Sequence, residues 1–183
     1  KEIDYCVISE AEETMLELAQ GTKDKDILGI SYREKNGDIK VNPSRPLIQD
    51  LDKLPFPARD LLPLDKYWTP GVRRYPYAIM MTSRGCPYSC TFCSNFRTQG
   101  KQFRARSPEN VLAEIDHLVK EYGVKEINIV DDNFTFDTDY CKDVLRGIID
   151  LKLDISLATP NGIRMDRLDD EVLELMREAG LYL

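Results

Sequence analysis

From Tyr77 onward the sequence alternates between short apolar runs and longer segments with helical periodicity. The apolar runs predict strands at 78–82, 127–130 and 155–158, and each precedes a segment whose apolar residues recur at helical spacing. Such β-α units in series build a parallel sheet. We therefore predict an α/β fold, either doubly wound or barrel-like, with three units before Leu183.

The boundaries of the predicted helices are indicated by capping residues. Ser107 is a typical N-cap, Pro108 suits the first helical turn, and Gly123 suits the end of the same helix. Asp137 begins the next helix and Gly180 ends the last one. The last helix is predicted to place four apolar residues on one face: Leu168, Val172, Leu173 and Met176.

Residues 1–42 predict a small α/β segment that ends in a hairpin. An apolar run at 5–8 and a helical pattern are followed by two runs, 27–32 and 38–41, that flank Lys35-Asn36-Gly37. Because Asn-Gly readily adopts the positive φ angles of a tight turn, these two runs should pair.

Residues 43–76 predict a linker with a defined structure. They contain seven of the ten prolines, and each proline fixes φ and removes a backbone donor, so regular elements are not expected. The segment is also too apolar for a free tether, so we predict that it packs across a domain surface. The apolar side chains concerned are Leu61, Leu62, Leu64, Tyr67 and Trp68.

Three of the five cysteines lie within eight residues, directly after the first predicted parallel strand. Cys86, Cys90 and Cys93 have the spacing C-x-x-x-C-x-x-C, so one loop can surround a metal centre. Thiolates are the usual ligands of iron–sulfur clusters, and three of them leave the fourth iron of a four-iron cluster open. The alternatives are a zinc site with a distant fourth ligand, since neither a histidine nor a fourth cysteine lies nearby in the sequence, and cysteines that only pack. Cys6 and Cys141 are predicted to behave as small apolar residues.

The charge balance favours a small-molecule substrate over nucleic acid. Lys and Arg number 25 against 32 Asp and Glu, which gives a net charge of -7 and argues against a broad basic face. Clustered cysteines in an odd number indicate a reducing compartment. No apolar run approaches the ~18 residues that a membrane span needs, and Lys1–Asp4 lack a signal pattern, so we predict a cytoplasmic protein.

Polar residues follow the second and third predicted parallel strands. Asp131-Asp132-Asn133-Phe134-Thr135 follow the second strand, and Asn161 and Arg164 follow the third. Parallel α/β folds bind ligands at this edge of the sheet, so these residues should face the cysteine loop. Asp132 or Asn133 could instead cap a turn, and Arg164 could be a surface charge.

The cysteine spacing, with Phe92 directly before the third cysteine, resembles the motif of the radical S-adenosylmethionine (SAM) superfamily. Four further segments resemble the branch that carries a cobalamin-binding domain and includes anaerobic magnesium-protoporphyrin monomethyl ester cyclases. These segments are 4–14, 50–60, 131–135 and 161–166.

This resemblance implies that the three clustered cysteines hold a 4Fe–4S cluster whose open iron chelates the amino and carboxylate groups of SAM. An aromatic residue before the third cysteine lies near the adenine in this family, and Asp131 to Asn133 stand where Gly-Gly-Glu is more widespread. The residues thereby predicted at the SAM site are Phe92, Asp131, Asp132, Asn133, Asn161 and Arg164. An electron donor such as flavodoxin or ferredoxin is implied, and no catalytic side chain is assigned.

The resemblance also implies a domain organisation. Residues 1–42 correspond to the end of a cobalamin-binding domain with its hairpin, 43–76 to the linker, and 77–183 to the first half of a radical SAM core. This core is a partial TIM-like barrel, truncated after about three β-α units. The chain also begins without methionine, which predicts a fragment, and because only three β-α units are present we expect this fragment to be inactive. Cobalamin is an option for the full-length protein but is not expected in this chain, which has no D-x-H-x-x-G motif.

The reaction outcome is left open by these motifs. Oxidative cyclisation, with a tetrapyrrole as one substrate type, and cobalamin-assisted methylation share them. A tRNA methylthiotransferase and a zinc-binding interaction module are the alternatives. The basic run of Arg97, Lys101, Arg104 and Arg106 could contact RNA, but we interpret it as a loop that closes near the cofactor.

Overall fold

The computed structural model describes residues 3–183, which form two compact units. Among these described residues, the first unit comprises 3–49 together with Pro87–Lys101, and the second comprises Asp50–Cys86 with Gln102–Leu183. The predicted division into 1–42, 43–76 and 77–183 stays a prediction, and its first two residues lie outside the described range.

The strands are β1 (Tyr5–Val7), β2 (Ile30–Arg33), β3 (Ile39–Val41), β4 (Tyr77–Met80), β5 (Ser83–Arg84), β6 (Arg104–Ala105), β7 (Glu126–Ile129) and β8 (Ser156–Ala158). The α-helices are α1 (Glu12–Ala19), α2 (Pro108–Tyr122), α3 (Thr138–Asp150) and α4 (Asp170–Glu178). Within residues 3–183, no helix is both long enough and apolar enough to cross a membrane.

The first unit contains an antiparallel sheet in the order β1-β2-β3. The predicted hairpin between β2 and β3 is confirmed, and Glu34 N donates to Asp38 O at 2.8 Å. The turn differs from the prediction because positive φ occurs at Gly37 (92°) and not at Asn36. Gly37 N donates to Glu34 O, so an ordinary turn comes first and the glycine then closes a three-residue loop.

The proline-rich segment is ordered by short 3₁₀ helices rather than by strands or α-helices. These helices are Leu51–Lys53, Arg59–Leu61 and Leu64–Lys66. The prediction that its apolar side chains are packed is wrong for most of them: Leu61 is 77% exposed, and Trp68 is mostly exposed too. Leu51 and the charged Arg59 are buried instead. These two residues anchor the segment, and neither was among the apolar side chains predicted to pack.

The second unit is built on a parallel sheet in which β7 lies between β4 and β8. Ala78, Ile127 and Leu157 are register partners across the three strands, and all three are buried. They pack with residues of α2, α3 and α4 in one apolar core. Because each strand is followed by one of these helices, the three predicted β-α units and the α/β fold class are confirmed.

The helix boundaries follow the capping residues of the sequence. Ser107 Oγ accepts from Asn110 N, and Asp137 Oδ1 accepts from Tyr140 N, as an N-cap requires. Gly123 has φ 62° and ends α2. The face predicted for α4 is partly wrong, since Leu173 is 49% exposed while Val172 and Met176 are buried.

Candidate functional site

The carboxyl ends of the three parallel strands bring together the segments that follow them. Thr82 to Gly85 follow β4, Asp131 to Asn133 follow β7, and Asn161 follows β8. Parallel register places all three segments at one edge of the sheet, which is where such folds bind ligands.

Asp131 is a buried carboxylate that joins the ends of β7 and β4. Its Oδ1 accepts from Thr82 N at 2.7 Å, and its Oδ2 accepts from Thr82 Oγ1 and Ser83 Oγ, both at 2.6 Å. The residue is only 2% exposed. Burial raises the pKa of Asp131, and the hydrogen bonds from Ser83 and Thr82 act in the opposite direction. Both carboxylate oxygens are thus engaged within the chain.

Asp132 contacts the backbone just before the cysteine motif. Its Oδ2 accepts from Gly85 N at 2.9 Å, and the side chain is half-buried. Gly85 has φ 84°, a conformation that glycine adopts without a Cβ penalty. The residue directly before Cys86 is therefore fixed in an unusual backbone conformation.

A small antiparallel ribbon closes the base of the cysteine-containing segment. Ser83 of β5 pairs with Ala105 of β6, and Arg84 pairs with Arg104. Arg106 N then donates to Thr82 O at 2.9 Å. The chain thus leaves the sheet edge through β5 and returns beside it through β6.

The clustered cysteines are less enclosed than the apolar core. Cys90 is exposed, Cys86 and Cys93 are half-buried, and Cys93 N donates to Cys90 O at 3.1 Å in a turn. Phe92 is 91% exposed. In the part of the chain that the structure describes, no set of three or more histidine, cysteine, aspartate or glutamate side chains is gathered as around a metal ion.

The two remaining cysteines differ from each other. Cys141 is buried on α3 as predicted, and burial raises the pKa of its thiol to about 12. Cys6 is exposed on β1, so the prediction of a buried apolar role is wrong for this residue. The whole of β1 is poorly covered, since Tyr5 and Cys6 are both exposed and Val7 is only half-buried.

The other predicted site residues differ in how their polar groups are used. Asn133 is 3% exposed, and its Nδ2 has no hydrogen-bond partner among residues 3–183. Asn161 Nδ2 donates to Val130 O at 2.8 Å and so joins the ends of β8 and β7. Arg164 Nε and Nη2 each donate to Asp166 at 2.9 Å. Asn133 is therefore the predicted residue with an unsatisfied buried donor.

A buried ionic triad lies in the same unit and was missed by sequence reasoning. Glu114 accepts from Arg59 Nη1 at 2.6 Å and, through its other oxygen, from Arg106 Nη1. Arg59 also donates to Ile79 O, and Arg106 to Met81 O. The triad thus joins the proline-rich segment, α2 and the end of β4. Only its position on the apolar face of α2 distinguished Glu114 in the sequence.

The basic run therefore does not form a continuous solvated surface. Arg104 is buried and Arg106 belongs to the triad, while Arg97 and Lys101 are exposed. Lys101 Nζ donates to Ser89 Oγ at 2.9 Å. This distribution gives little support to an RNA-binding interpretation of the run.

Comparison with known proteins places residues 80–183 in a known superfamily. The radical SAM superfamily model matches residues 80–183. An uncharacterized methyltransferase of Pyrococcus horikoshii is 42% identical over 98% of this chain, which covers 39% of that protein. The anaerobic magnesium-protoporphyrin IX monomethyl ester cyclase of Rubrivivax gelatinosus is 31% identical over 98% of this chain, which covers 33% of that protein.

The fold is also similar to that of a solved enzyme. The structure of the radical SAM methyltransferase TsrM from Kitasatospora setae, with cobalamin and a 4Fe–4S cluster bound, matches 98% of this chain and 37% of its own with a TM-score of 0.69 at 20% identity. The chain thus spans well under half the length of each of these proteins. On the family match and the two curated relatives, this chain belongs to the radical SAM superfamily.

Proposed function

We propose that this chain carries the cluster-binding and part of the SAM-binding site of a radical SAM enzyme. The observation that carries the proposal is the three-cysteine motif, which begins at the carboxyl end of the first strand of a parallel sheet in a chain of this superfamily. All five cysteines are thiols rather than disulfides, and three thiols fit a 4Fe–4S cluster with one open iron. Cys86, Cys90 and Cys93 would hold it.

When bound and reduced, such a cluster supplies the electron that cleaves SAM to methionine and a 5′-deoxyadenosyl radical, which takes a hydrogen atom from the substrate. The role of the chain is to bind and orient the two groups. Asn133 offers a buried amide donor at the ligand edge, suited to an acceptor on the methionyl end of SAM. Phe92 offers an exposed aromatic face suited to stacking on adenine.

The other residues predicted to contact SAM already make hydrogen bonds within the chain. Arg164 is paired with Asp166, so a carboxylate of SAM would bind Arg164 beside Asp166 or in its place. Asn161 Nδ2 donates to Val130 O and also lies 3.4 Å from Asp131 O, so we assign Asn161 a positioning role at the edge between β7 and β8. Asp132 borders the same edge through Gly85.

For the whole protein we propose methylation or oxidative cyclisation of a small molecule. The similar proteins include a methyltransferase and a cyclase, which supports both outcomes and does not choose between them. The structure of TsrM contains cobalamin, so a cobalamin-assisted methylation is a reasonable form of the first outcome. This chain has no D-x-H-x-x-G motif, so we do not assign it the lower ligand of cobalamin.

A low-potential donor such as flavodoxin or ferredoxin is the electron source that this chemistry calls for. The thiol ligands and the cluster are sensitive to oxidation, which supports a reducing compartment such as the cytoplasm. Both statements belong to the proposal for the whole protein.

The experiment that tests the proposal is anaerobic reconstitution followed by metal analysis and visible absorption spectroscopy. We expect about four irons per chain and the broad absorption of cysteine-ligated iron–sulfur clusters. Stoichiometric zinc with no visible absorption would contradict the proposal and favour the zinc-binding interaction module. A calorimetric titration of the reconstituted protein with SAM then tests whether Asn133→Ala binds SAM more weakly than the parent protein.

A further inference from the structure

The backbone that enters the cysteine motif is held by two consecutive aspartates, Asp131 and Asp132, which follow the neighbouring strand β7. Asp131 makes three hydrogen bonds to Thr82 and Ser83, and Asp132 makes one to Gly85 N. These bonds cover the chain from the end of β4 to the residue before Cys86. The pair therefore acts on one continuous stretch of backbone.

The same stretch is also fixed from its other side. The ribbon of β5 and β6 pairs Ser83 with Ala105, and Thr82 O accepts from both Arg106 N and Tyr140 Oη. Gly85 adopts a positive φ that an L side chain would resist. Residues 82–85 are thus constrained by β6, by α3 and by residues that follow β7 and β6.

We propose that Asp131 and Asp132 are positioning residues that hold residues 82–85 and so present Cys86 from a fixed backbone. This inference rests on the proposed function, because it takes Cys86 as a cluster ligand. It assigns both aspartates a role through the protein backbone rather than through contact with SAM. The reason is that both oxygens of Asp131 are already used within the chain, and that Asp132 meets the amide next to Cys86.

A ligand whose backbone is fixed before binding needs less ordering when the cluster is inserted. Cys90 and Cys93 follow in a segment with an exposed thiol and an exposed aromatic side chain. Of the three thiols, we assign Cys86 as the one whose adjoining backbone is preorganised by the fold.

The test uses Asp132, because replacing the buried Asp131 would disturb folding. Asp132→Ala removes the acceptor for Gly85 N, whereas Asp132→Asn keeps an oxygen in nearly the same place. Asp139→Ala is the matched control, since Asp139 is an exposed aspartate on the first turn of α3 in the same unit.

The first measurement is hydrogen exchange of the Gly85 amide by NMR on the iron-free protein. Loss of a hydrogen bond to a carboxylate should speed exchange about tenfold or more in Asp132→Ala. Asp132→Asn should lie nearer to the parent protein, and Asp139→Ala should equal it. Unchanged exchange in Asp132→Ala would overturn the proposal.

The second measurement is the rate at which a chelator removes iron from the reconstituted protein without SAM. We expect Asp132→Ala to lose iron several-fold faster, while the SAM affinity of the protein that is still loaded stays the same. A weaker SAM affinity with unchanged iron loss would make Asp132 a cofactor contact and overturn the positioning role. If the parent protein takes up no iron, the proposed function fails, and the exchange of Gly85 still decides whether Asp132 holds this backbone.

Discussion

The apolar core of the second unit and the segment that carries the clustered cysteines are stabilised in different ways. In the core, Ile127, Leu145 and Leu157 are completely buried between the sheet and its helices. In the cysteine segment, Cys90 is exposed and Phe92 is 91% exposed. The comparison indicates that the sheet is stabilised by burial of its own apolar residues, whereas the clustered cysteines and Phe92 lie outside that core.

The largest expected effect concerns the cysteine segment alone. Replacing Cys86, Cys90 or Cys93 by Ala should reduce the iron content from about four per chain to nearly none, because a cluster with two thiolate ligands is not retained. The far-UV circular dichroism should stay unchanged, since the apolar core does not include these residues. Iron analysis after anaerobic reconstitution measures the effect.

Cys6→Ala and Cys141→Ala are the controls for this series. Cys6 is exposed on β1, and Cys141 is buried in the core with its thiol pKa raised to about 12. Both variants should keep the visible absorption of the parent protein. Loss of the cluster in either one would show that the ligand assignment is wrong.

The next effect concerns the buried ionic triad of the second unit. Glu114→Ala leaves Arg59 and Arg106 as uncompensated charges with little exposure, so it should lower the free energy of unfolding by about 3–5 kcal/mol. Urea denaturation followed by circular dichroism measures this change.

Phe92→Ala serves as the comparison from the cysteine segment. Phe92 is almost fully exposed, so its replacement should change the free energy of unfolding by no more than about 0.5 kcal/mol. If Phe92→Ala destabilised the protein as much as Glu114→Ala, the proposed difference between the two regions would not hold.

The smallest effect is the pH dependence of the stability contributed by ion pairs on the surface of the second unit. Lys142 Nζ donates to Asp169 and Glu171 at 2.8 and 2.7 Å, and its hydrogen bonds lower the pKa of both carboxyl groups. Their stabilisation is complete above their ordinary pKa values of about 4 and is lost as the pH falls through the lowered values. The difference in urea midpoint between the parent protein and Lys142→Met should therefore shrink from pH 6 to pH 3.

Lys120→Met is the control for this pH series. Lys120 pairs with Asp116 at 2.7 Å within α2, and its side chain is largely exposed. Pairs of this kind contribute little, so its urea midpoint should follow that of the parent protein at both pH values. An equal response of the two lysine variants would remove the special role of Lys142.

The sequence predicted the features that depend on neighbours along the chain. The caps Ser107 and Asp137, the end at Gly123 and the alternation of strands and helices are confirmed because helix starts and strand periodicity are local properties. Leu173 and Leu61 were misjudged because apolar character does not say whether a partner surface reaches that side of an element.

The candidate site divides in the same way. The spacing of Cys86, Cys90 and Cys93 was readable from the sequence and, as metal ligands, remains a prediction. The hydrogen bonds of Asp131 could not be predicted from the sequence, because Asp131 bonds to Thr82, 49 positions away. Nor could the pairing of Arg59 with Glu114, 55 positions apart, be read.

By itself, the sequence determined the order of the three β-α units, the position of the cysteine motif after the first parallel strand, and the family resemblance. Only the tertiary structure decided which polar groups at the sheet edge serve the fold and which, like Asn133 Nδ2, are left without a partner in residues 3–183. The physical reason is that local spacing fixes a helix or a strand, whereas hydrogen bonds between distant residues form only after sheet register brings their atoms within about 3 Å.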